Sequence, residues 1–260
     1  MVEVKFVVTG FGPFDGANEN PTQLIATALK QYLASNAATP THDEFVASLQ
    51  TIVIDTCAED ARSKIDDIYD KIGLEDEDDC LFVVLHLGVN VCGKHFQLEE
   101  CAYNDASFRI PDERNYQPNR TKIVTTARFG KCFRTPIDVA SLRRSMNSLS
   151  SQLTTKTVVS RNPGRFVCNY SYCYSLSTVQ SKFAGGVDDA CSIFHSSAPP
   201  GRVFPIFLHV PPLEVCALPN QLQYVAHLLV HLKSMVKSNY EDPRWSCFTF
   251  YEKLPVLTWR

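Results

Sequence analysis

The amino-acid sequence predicts a single-domain α/β/α sandwich built on an open, twisted, mostly parallel sheet. Short apolar, β-branched runs alternate along the chain with amphipathic helical patterns, which is typical of a sheet covered by helices on both faces. The chain has 260 residues, of which 45% are hydrophobic, and this is enough to bury one sizeable core. No internal repeat divides it, so we expect one domain over residues 1–260, with its core over 4–237.

The strands are predicted from runs of apolar and β-branched residues. The first run, residues 4–9, ends at Gly10 and has the composition of a buried strand. Residues 99–103 fit no single pattern. The other predicted strands cover residues 45–55, 81–87, 157–160 and 203–210.

The helices are predicted from apolar residues at helical spacing. The first begins at Asn20-Pro21, where asparagine caps the helix and proline occupies its first turn, and its apolar positions run to Leu33. The remaining predicted helices cover residues 57–72, 135–149, 168–179 and 219–237.

Charge and composition exclude several classes of protein. Lys plus Arg number 25 and Asp plus Glu number 28, a net charge of -3, so we expect no nucleic-acid partner. No apolar stretch is long enough to span a bilayer, and the first residues do not have the pattern of a signal peptide. We therefore expect a cytoplasmic protein whose ten cysteines are mostly free thiols.

A glycine-rich turn, Gly10-Phe11-Gly12-Pro13-Phe14, follows the first strand. It lacks the spacing of a dinucleotide-binding loop, and Pro13 has no N–H to offer a phosphate. Phe11 and Phe14 are better suited to hold an apolar, planar ligand between rings. The alternative is that both side chains simply belong to the core.

The spacing of the cysteines and histidines gives only weak evidence for a metal site. Cys92 with His95, and Cys191 with His195, supply the residue types of a Cys2His2 zinc site, but neither pair resembles a zinc-finger knuckle. We expect no metal and no cofactor.

Cys168 and His209 stand where reactive groups gather. Cys168 is at the predicted start of a helix, which stabilises a thiolate, and His209 is at the end of a predicted strand. Buried free cysteines are common, so a purely structural role for either residue remains open at this point.

Four segments together resemble the pyroglutamyl peptidase I family of cysteine peptidases, which remove N-terminal pyroglutamate. They occur in the family's order: Val8-Thr9-Gly10-Phe11-Gly12-Pro13-Phe14 with Asn20-Pro21; Glu99-x-x-Ala102-x-Asn104 with Arg109-Ile110-Pro111-Asp112 and Gln117-Pro118; Gly164-Arg165-Phe166-Val167-Cys168-Asn169; and Phe207-Leu208-His209-Val210-Pro211. The first and third segments are the specific ones.

The resemblance implies catalytic roles for three residues. Cys168 matches the nucleophile, His209 the general base and Glu99 the acidic member of a triad. Glu100 is adjacent, but the spacing to the residues that follow selects Glu99.

The resemblance also implies how the substrate is bound. Phe11 and Phe14 match the pair that holds the pyroglutamyl ring, and Val89 is expected to contact substrate. The implied partners are peptides with an N-terminal pyroglutamyl residue, and the alternative is a catalytically silent peptide- or small-molecule-binding protein on the same fold.

Three segments depart from the family's pattern. Residues 88–94 lack the Gly-Gly-Arg common in bacterial members, and residues after 238 have no clear counterpart. The long loop predicted over 181–202 lies between the segments that carry Cys168 and His209. We expect either a flap near the active site or an inert surface insertion.

Overall fold

The computed structural model describes residues 2–35, 46–74, 80–149, 153, 155–183 and 201–241. Within them, six strands form the main sheet in the order β2-β1-β3-β8-β4-β7. The strands are β1 (Glu3–Phe11), β2 (Leu49–Ile54), β3 (Cys80–Val89), β4 (Phe96–Glu99), β7 (Thr157–Ser160) and β8 (Val203–Val210); β5 (Cys101–Tyr103) and β6 (Cys132–Arg134) form a separate two-stranded ribbon.

The main sheet is mostly parallel, as predicted. Strands β2, β1, β3 and β8 are parallel neighbours, whereas β4 runs antiparallel to β8 and parallel to β7. The helices are α1 (Pro21–Ser35), α2 (Ala58–Leu74), α3 (Val139–Ser148), α4 (Val167–Lys182) and α5 (Leu218–Glu241). α1, α3 and α5 pack on one face of the sheet, and α2 and α4 on the other, so the predicted three-layer α/β fold is confirmed.

Side-chain alternation along the strands decides which residues meet α4. On β3, Leu85 and Leu87 lie in the core shared with α1 and α5, whereas Phe82 and Val84 pack on the α2 side. Because successive side chains point to opposite faces, Gly88 belongs to the side of α2 and α4. The same alternation puts His209 of β8 and Glu99 of β4 on that side, since their neighbours in sequence lie in the other core.

Several predicted boundaries are corrected. The strand predicted over 45–55 is wrong at its amino end, because residues 46–48 form a helical turn and β2 begins only at Leu49. Residues 99–103 comprise the end of β4 and all of β5, separated by Glu100. The last helix continues to Glu241, past its predicted end at 237, and residues 242–260 lie outside the described residues. Over the described ranges, no helix combines the length and apolar character needed to cross a membrane.

Candidate active site

Cys168 is the second residue of α4. Gly164, with a φ of 78°, makes the turn before the helix, a backbone conformation that favours glycine. The first N–H groups of a helix lack intrahelical acceptors, and a partial positive charge gathers there. This charge stabilises a thiolate, and the partly exposed Cys168 side chain is placed to use it.

His209 connects Cys168 to a buried carboxylate. Its Nδ1 lies 2.8 Å from Glu99 Oε1, and the two side chains are only 8% and 1% exposed. Cys168 also interacts with His209, and because Nδ1 is bound to Glu99, Nε2 is the ring nitrogen left for this interaction. Burial by itself lowers the pKa of His209, but the hydrogen bonds and charges of Cys168 and Glu99 together raise it to about 10.

After Cys168, Glu99 is the second group that raises the pKa of His209. Glu99 Oε2 is buried and has no hydrogen-bond partner among the described residues. A buried carboxylate is costly unless a nearby charge compensates it. His209 supplies that charge as imidazolium, the form that its raised pKa favours.

Glu100 has a different environment, although it is the next residue. Its carboxylate pairs with Arg134 and, at 2.8 Å, with Arg161 Nε. Alternation along the strand turns Glu99 toward His209 and its neighbour away. Of these two glutamates, Glu99 is the one that contacts His209, and its catalytic role stays a prediction.

Gly88 makes room for the thiol. This residue pairs with His209 in the register of β3 and β8. A Cβ atom at position 88 would lie 2.9 Å from Cys168 Sγ and 2.7 Å from the ring of Phe207. Only glycine fits beneath the sulfur in this arrangement.

The two predicted ring-holding phenylalanines have different environments. Phe11, at the end of β1, is 3% exposed and packs in the core beside α2 and α4. Phe14 is half-buried, and its ring centroid lies 6.2 Å from that of Phe166, two residues before Cys168. Burial therefore favours the core interpretation for Phe11, whereas Phe14 and Phe166, whose rings contact each other, keep partly exposed surfaces for a flat ligand. Val89 is half-buried next to Gly88, so its contact with substrate stays a prediction.

A buried hydrogen-bond network lies on the same side of the sheet. His86 Nδ1 is 2.9 Å from Thr9 Oγ1, and its Nε2 is 2.8 Å from Ser175 Oγ on α4. Tyr69 of α2 reaches the same Ser175 hydroxyl at 2.5 Å. Complete burial lowers the pKa of His86 to about 3. The network therefore links strands β1 and β3 to helices α2 and α4 through His86, which is neutral.

The described residues give no geometric support for a metal site. In the part of the chain that the structure describes, no three His, Cys, Asp or Glu side chains are grouped so as to hold a metal ion. Cys191 and His195, half of the zinc site weighed from the sequence, lie outside the described residues.

A comparison with protein families gives one match that covers most of the chain. The family model for pyroglutamyl peptidase matches residues 4–187, a range that includes Glu99 and Cys168. The chain belongs to the pyroglutamyl peptidase family. The family predicted from the four sequence segments is thereby confirmed.

Individual relatives agree with this family. The chain is 25% identical over 166 residues to the pyrrolidone-carboxylate peptidase of Thermococcus litoralis, an alignment that covers 64% of this chain and 65% of the relative. A pyrrolidone carboxyl peptidase structure from Fervidobacterium islandicum superposes with a TM-score of 0.64 at 20% identity, covering 89% of this chain and 99% of that one. A mutant pyrrolidone carboxyl peptidase from Pyrococcus furiosus gives a TM-score of 0.66 at 17% identity, covering 90% and 99%. At these identities the structural matches establish the shared fold.

Phe166 belongs to the segment Gly164-Arg165-Phe166-Val167-Cys168-Asn169, but its sequence position alone predicts no role for it. Its ring faces Phe14 and also packs edge-on against Phe108, with ring centroids 4.9 Å apart. The available signal was an aromatic residue two positions before Cys168, the residue predicted to be the nucleophile. Local sequence does not show which distant ring it meets, so the pairing with Phe14 needed the fold.

The expectation that both ends of the predicted flap border the catalytic centre is wrong. Most of that segment, residues 184–200, lies outside the described residues, but Phe183 and Gly201 are described. α4 has 16 residues, so its end is roughly 24 Å from its start near Cys168. Val203 pairs near the beginning of β3, whereas His209 pairs near its end. Both ends therefore lie at the amino-terminal ends of the parallel strands, opposite to the site. The chain must return to that end of the sheet before the next parallel strand can begin.

Proposed function

We propose that this protein is a cysteine exopeptidase that hydrolyses the amide bond after an N-terminal pyroglutamyl residue. The observation that carries the proposal is that His209 interacts with both Cys168 and Glu99, with a buried 2.8 Å contact between imidazole and carboxylate. Family membership supports the reaction class. Nucleophile, base and orienting carboxylate are the parts that acyl transfer by a thiol requires.

The reaction begins with attack of the Cys168 thiolate on the carbonyl carbon that follows the lactam ring. A tetrahedral oxyanion forms, and the N–H groups at the start of α4 are the donors placed to stabilise it. The imidazolium of His209 then gives its proton to the leaving amine, and an acyl-thioester remains. Water attacks this thioester with His209 as the base, which releases pyroglutamate and restores the thiolate. Glu99 keeps the imidazole in the required tautomer throughout.

The pocket chemistry favours a neutral ring. Phe14 and Phe166 offer aromatic surfaces on which the flat lactam stacks. A free glutamyl terminus carries an ammonium and a carboxylate, and their desolvation between two phenylalanines is unfavourable. The substrates proposed are therefore peptides whose first residue has cyclised.

Release of a fluorescent aryl amine from three matched conjugates tests this proposal. The pyroglutamyl conjugate should be hydrolysed, whereas the glutamyl conjugate has the wrong charge and the prolyl conjugate lacks the lactam carbonyl. Cys168→Ala should abolish turnover, and His209→Ala should lower it by several orders of magnitude. Cys132→Ser, which removes an exposed thiol on β6, is the matched control and should retain turnover.

Each outcome separates the proposed peptidase from its alternative. A silent binding protein would bind a pyroglutamyl amide and release no amine, and Cys168→Ala would leave its affinity unchanged. Hydrolysis that persists in folded Cys168→Ala would show that another group is the nucleophile. Inactivation by a thiol alkylator should be slowed by saturating substrate, because the substrate covers Cys168.

We also propose the cytoplasm as the site of action. The eight cysteines in the described residues are all free thiols, several of them buried. A reducing compartment preserves such thiols, and an oxidising one does not. Fractionation of cells that express the protein, followed by alkylation of accessible thiols, would test this location.

A further inference from the structure

Two cysteines share one face of the β5–β6 ribbon. In its register Cys101 is opposite Arg134, and Cys132 is opposite Tyr103. Positions two apart on a strand point the same way, so the two cysteines are diagonal neighbours on one side. Cys101 Sγ donates to the Tyr103 hydroxyl at 3.6 Å and to the Arg161 carbonyl oxygen at 3.7 Å, and the Cys132 thiol is close enough to shift its pKa. Thiols that are 31 positions apart in the sequence are thus neighbours in the fold.

The environment shifts the pKa values of the two thiols in opposite directions. Interaction with Cys132, aided by Tyr103 and the charge of Arg134, lowers the pKa of Cys101 to about 7 in spite of burial. The same interaction raises the pKa of Cys132, so Cys101 is the more readily ionised thiol of the pair. Cys132 is exposed, which gives a small reagent access to the pair. A thiolate beside a second thiol is the arrangement found in redox-sensitive sites.

We propose that Cys101 and Cys132 form a redox-active dithiol that a hydroperoxide converts to an intramolecular disulfide. The thiolate of the pair attacks one peroxide oxygen, the O–O bond breaks, and a sulfenic acid and hydroxide result. The second thiol then attacks the sulfenic sulfur, the S–S bond forms, and the hydroxyl leaves as water with the thiol proton. The peroxide gains two electrons and the two sulfurs lose them. This inference goes beyond the proposed peptidase activity and does not depend on it.

The ribbon connects this pair to the catalytic residues. Glu99 lies two positions before Cys101 on the same run of chain. On the other side, the Asn169 side chain accepts a hydrogen bond from Tyr103 N and donates one to Tyr103 O, both at 2.9 Å. Asn169 follows Cys168 directly, so β5 is held between the carboxylate and the nucleophile. A shift of β5 therefore displaces both Glu99 and Cys168.

Disulfide formation requires such a shift. Diagonal neighbours typically have Cα atoms about 7–8 Å apart, whereas a disulfide needs about 4.4–6.8 Å. Closing the bond pulls β6 along β5 by roughly 1 Å, and a misplacement of that size lowers turnover by up to about 100-fold. We therefore expect the disulfide to lower kcat/KM by roughly 10-fold to 100-fold and a reductant to restore it.

The chemical step is tested in the Cys168→Ala protein, so that oxidation of the nucleophile does not intervene. The protein is treated with stoichiometric hydrogen peroxide, blocked with iodoacetamide, digested and mapped by mass spectrometry. The expected product is one linked pair of peptides that contain Cys101 and Cys132, two hydrogens lighter than their sum and separated by dithiothreitol. Cys132→Ser in the same background should yield no such link. The proposal is overturned if both cysteines remain fully alkylated, or if either links instead to a different cysteine.

The effect on activity is tested with Cys168 in place. Wild-type and Cys132→Ser proteins receive the same peroxide dose, and their activities are compared before and after dithiothreitol. Oxidation of Cys168 affects both equally, so an additional, dithiothreitol-reversible loss in the wild type alone supports regulation by the pair. Equal losses in the two proteins, with the disulfide present in the wild type, contradict it. The mass measurement needs no turnover, so its result is distinct from any failure of the proposed peptidase activity.

Discussion

Replacing Gly88 by alanine should disable the catalytic thiol while leaving substrate binding nearly intact. The added Cβ would lie 2.9 Å from Cys168 Sγ and 2.7–2.8 Å from two atoms of the Phe207 ring. Ordinary contacts between such atoms begin at roughly 3.5 Å, so each neighbour must retreat by about 0.6 Å or more. Something at the site therefore has to move.

The sulfur is the group that can yield. Phe207 is completely buried, and its ring is packed by those of Tyr172 and His209, with centroids 5.5 Å and 4.8 Å away. The Cys168 side chain is partly exposed and rotates about a single bond. Its rotation breaks the contact with His209, and a misplacement near 1 Å lowers kcat/KM by about 100-fold. Overpacking should also lower the free energy of unfolding by about 1–3 kcal/mol.

The assay is hydrolysis of the pyroglutamyl conjugate together with urea unfolding of the same samples. We expect kcat to carry most of the loss and KM to change little, because the ring-binding phenylalanines are untouched. Gly73→Ala is the matched control: no atom lies within 4 Å of its added Cβ, and alanine stabilises a helix by about 0.5–1 kcal/mol relative to glycine. A folded Gly88→Ala protein whose kcat/KM stays within about threefold of wild type would refute the steric reasoning.

Three further predictions use the charges of the site. Glu99→Gln should lower kcat by roughly 100-fold to 10,000-fold, because the imidazole loses its orienting charge; Glu100→Gln, which loses only its arginine contacts, should stay close to wild type in the same assay. The hydrogen bond and charge of Cys168 raise the pKa of His209, so an NMR titration of Cys168→Ala should show a lower His209 pKa than that of the wild type, and an unchanged value would contradict the pairing. Burial holds the pKa of His86 at about 3 against 6.5 when exposed, so the unfolded state binds the extra proton and stability falls as pH drops below 6.5. Relative to His86→Gln, the wild type should lose about 2 kcal/mol of unfolding free energy between pH 7 and pH 5 in urea titrations, and parallel pH profiles would show that His86 does not titrate as argued.

The regular elements were predictable because short-range forces determine them. The apolar runs that became β3 and β8 fit only strands buried on both faces, and Asn20-Pro21 specifies the start of α1. The strand over 45–55 was too long because its first residues continue the apolar composition without the alternation of a strand. The motif spacing was enough to predict Glu99 rather than Glu100. Only the structure shows that Glu99 contacts His209.

The sequence by itself determined the family and most elements and predicted the residues of the candidate site, since each is encoded in local pattern or motif. Only the tertiary structure decided the rest. The antiparallel entry of β4 beside β8 brings Glu99 to His209, and strand order follows from long-range packing that no local pattern records. The fold likewise buries Phe11 but leaves Phe14 partly exposed, brings Cys101 and Cys132 to one face of the ribbon, and places Gly88 beneath Cys168 Sγ. These features involve chain segments far apart in sequence. They form only when the strands have paired in register and α4 has packed on the sheet.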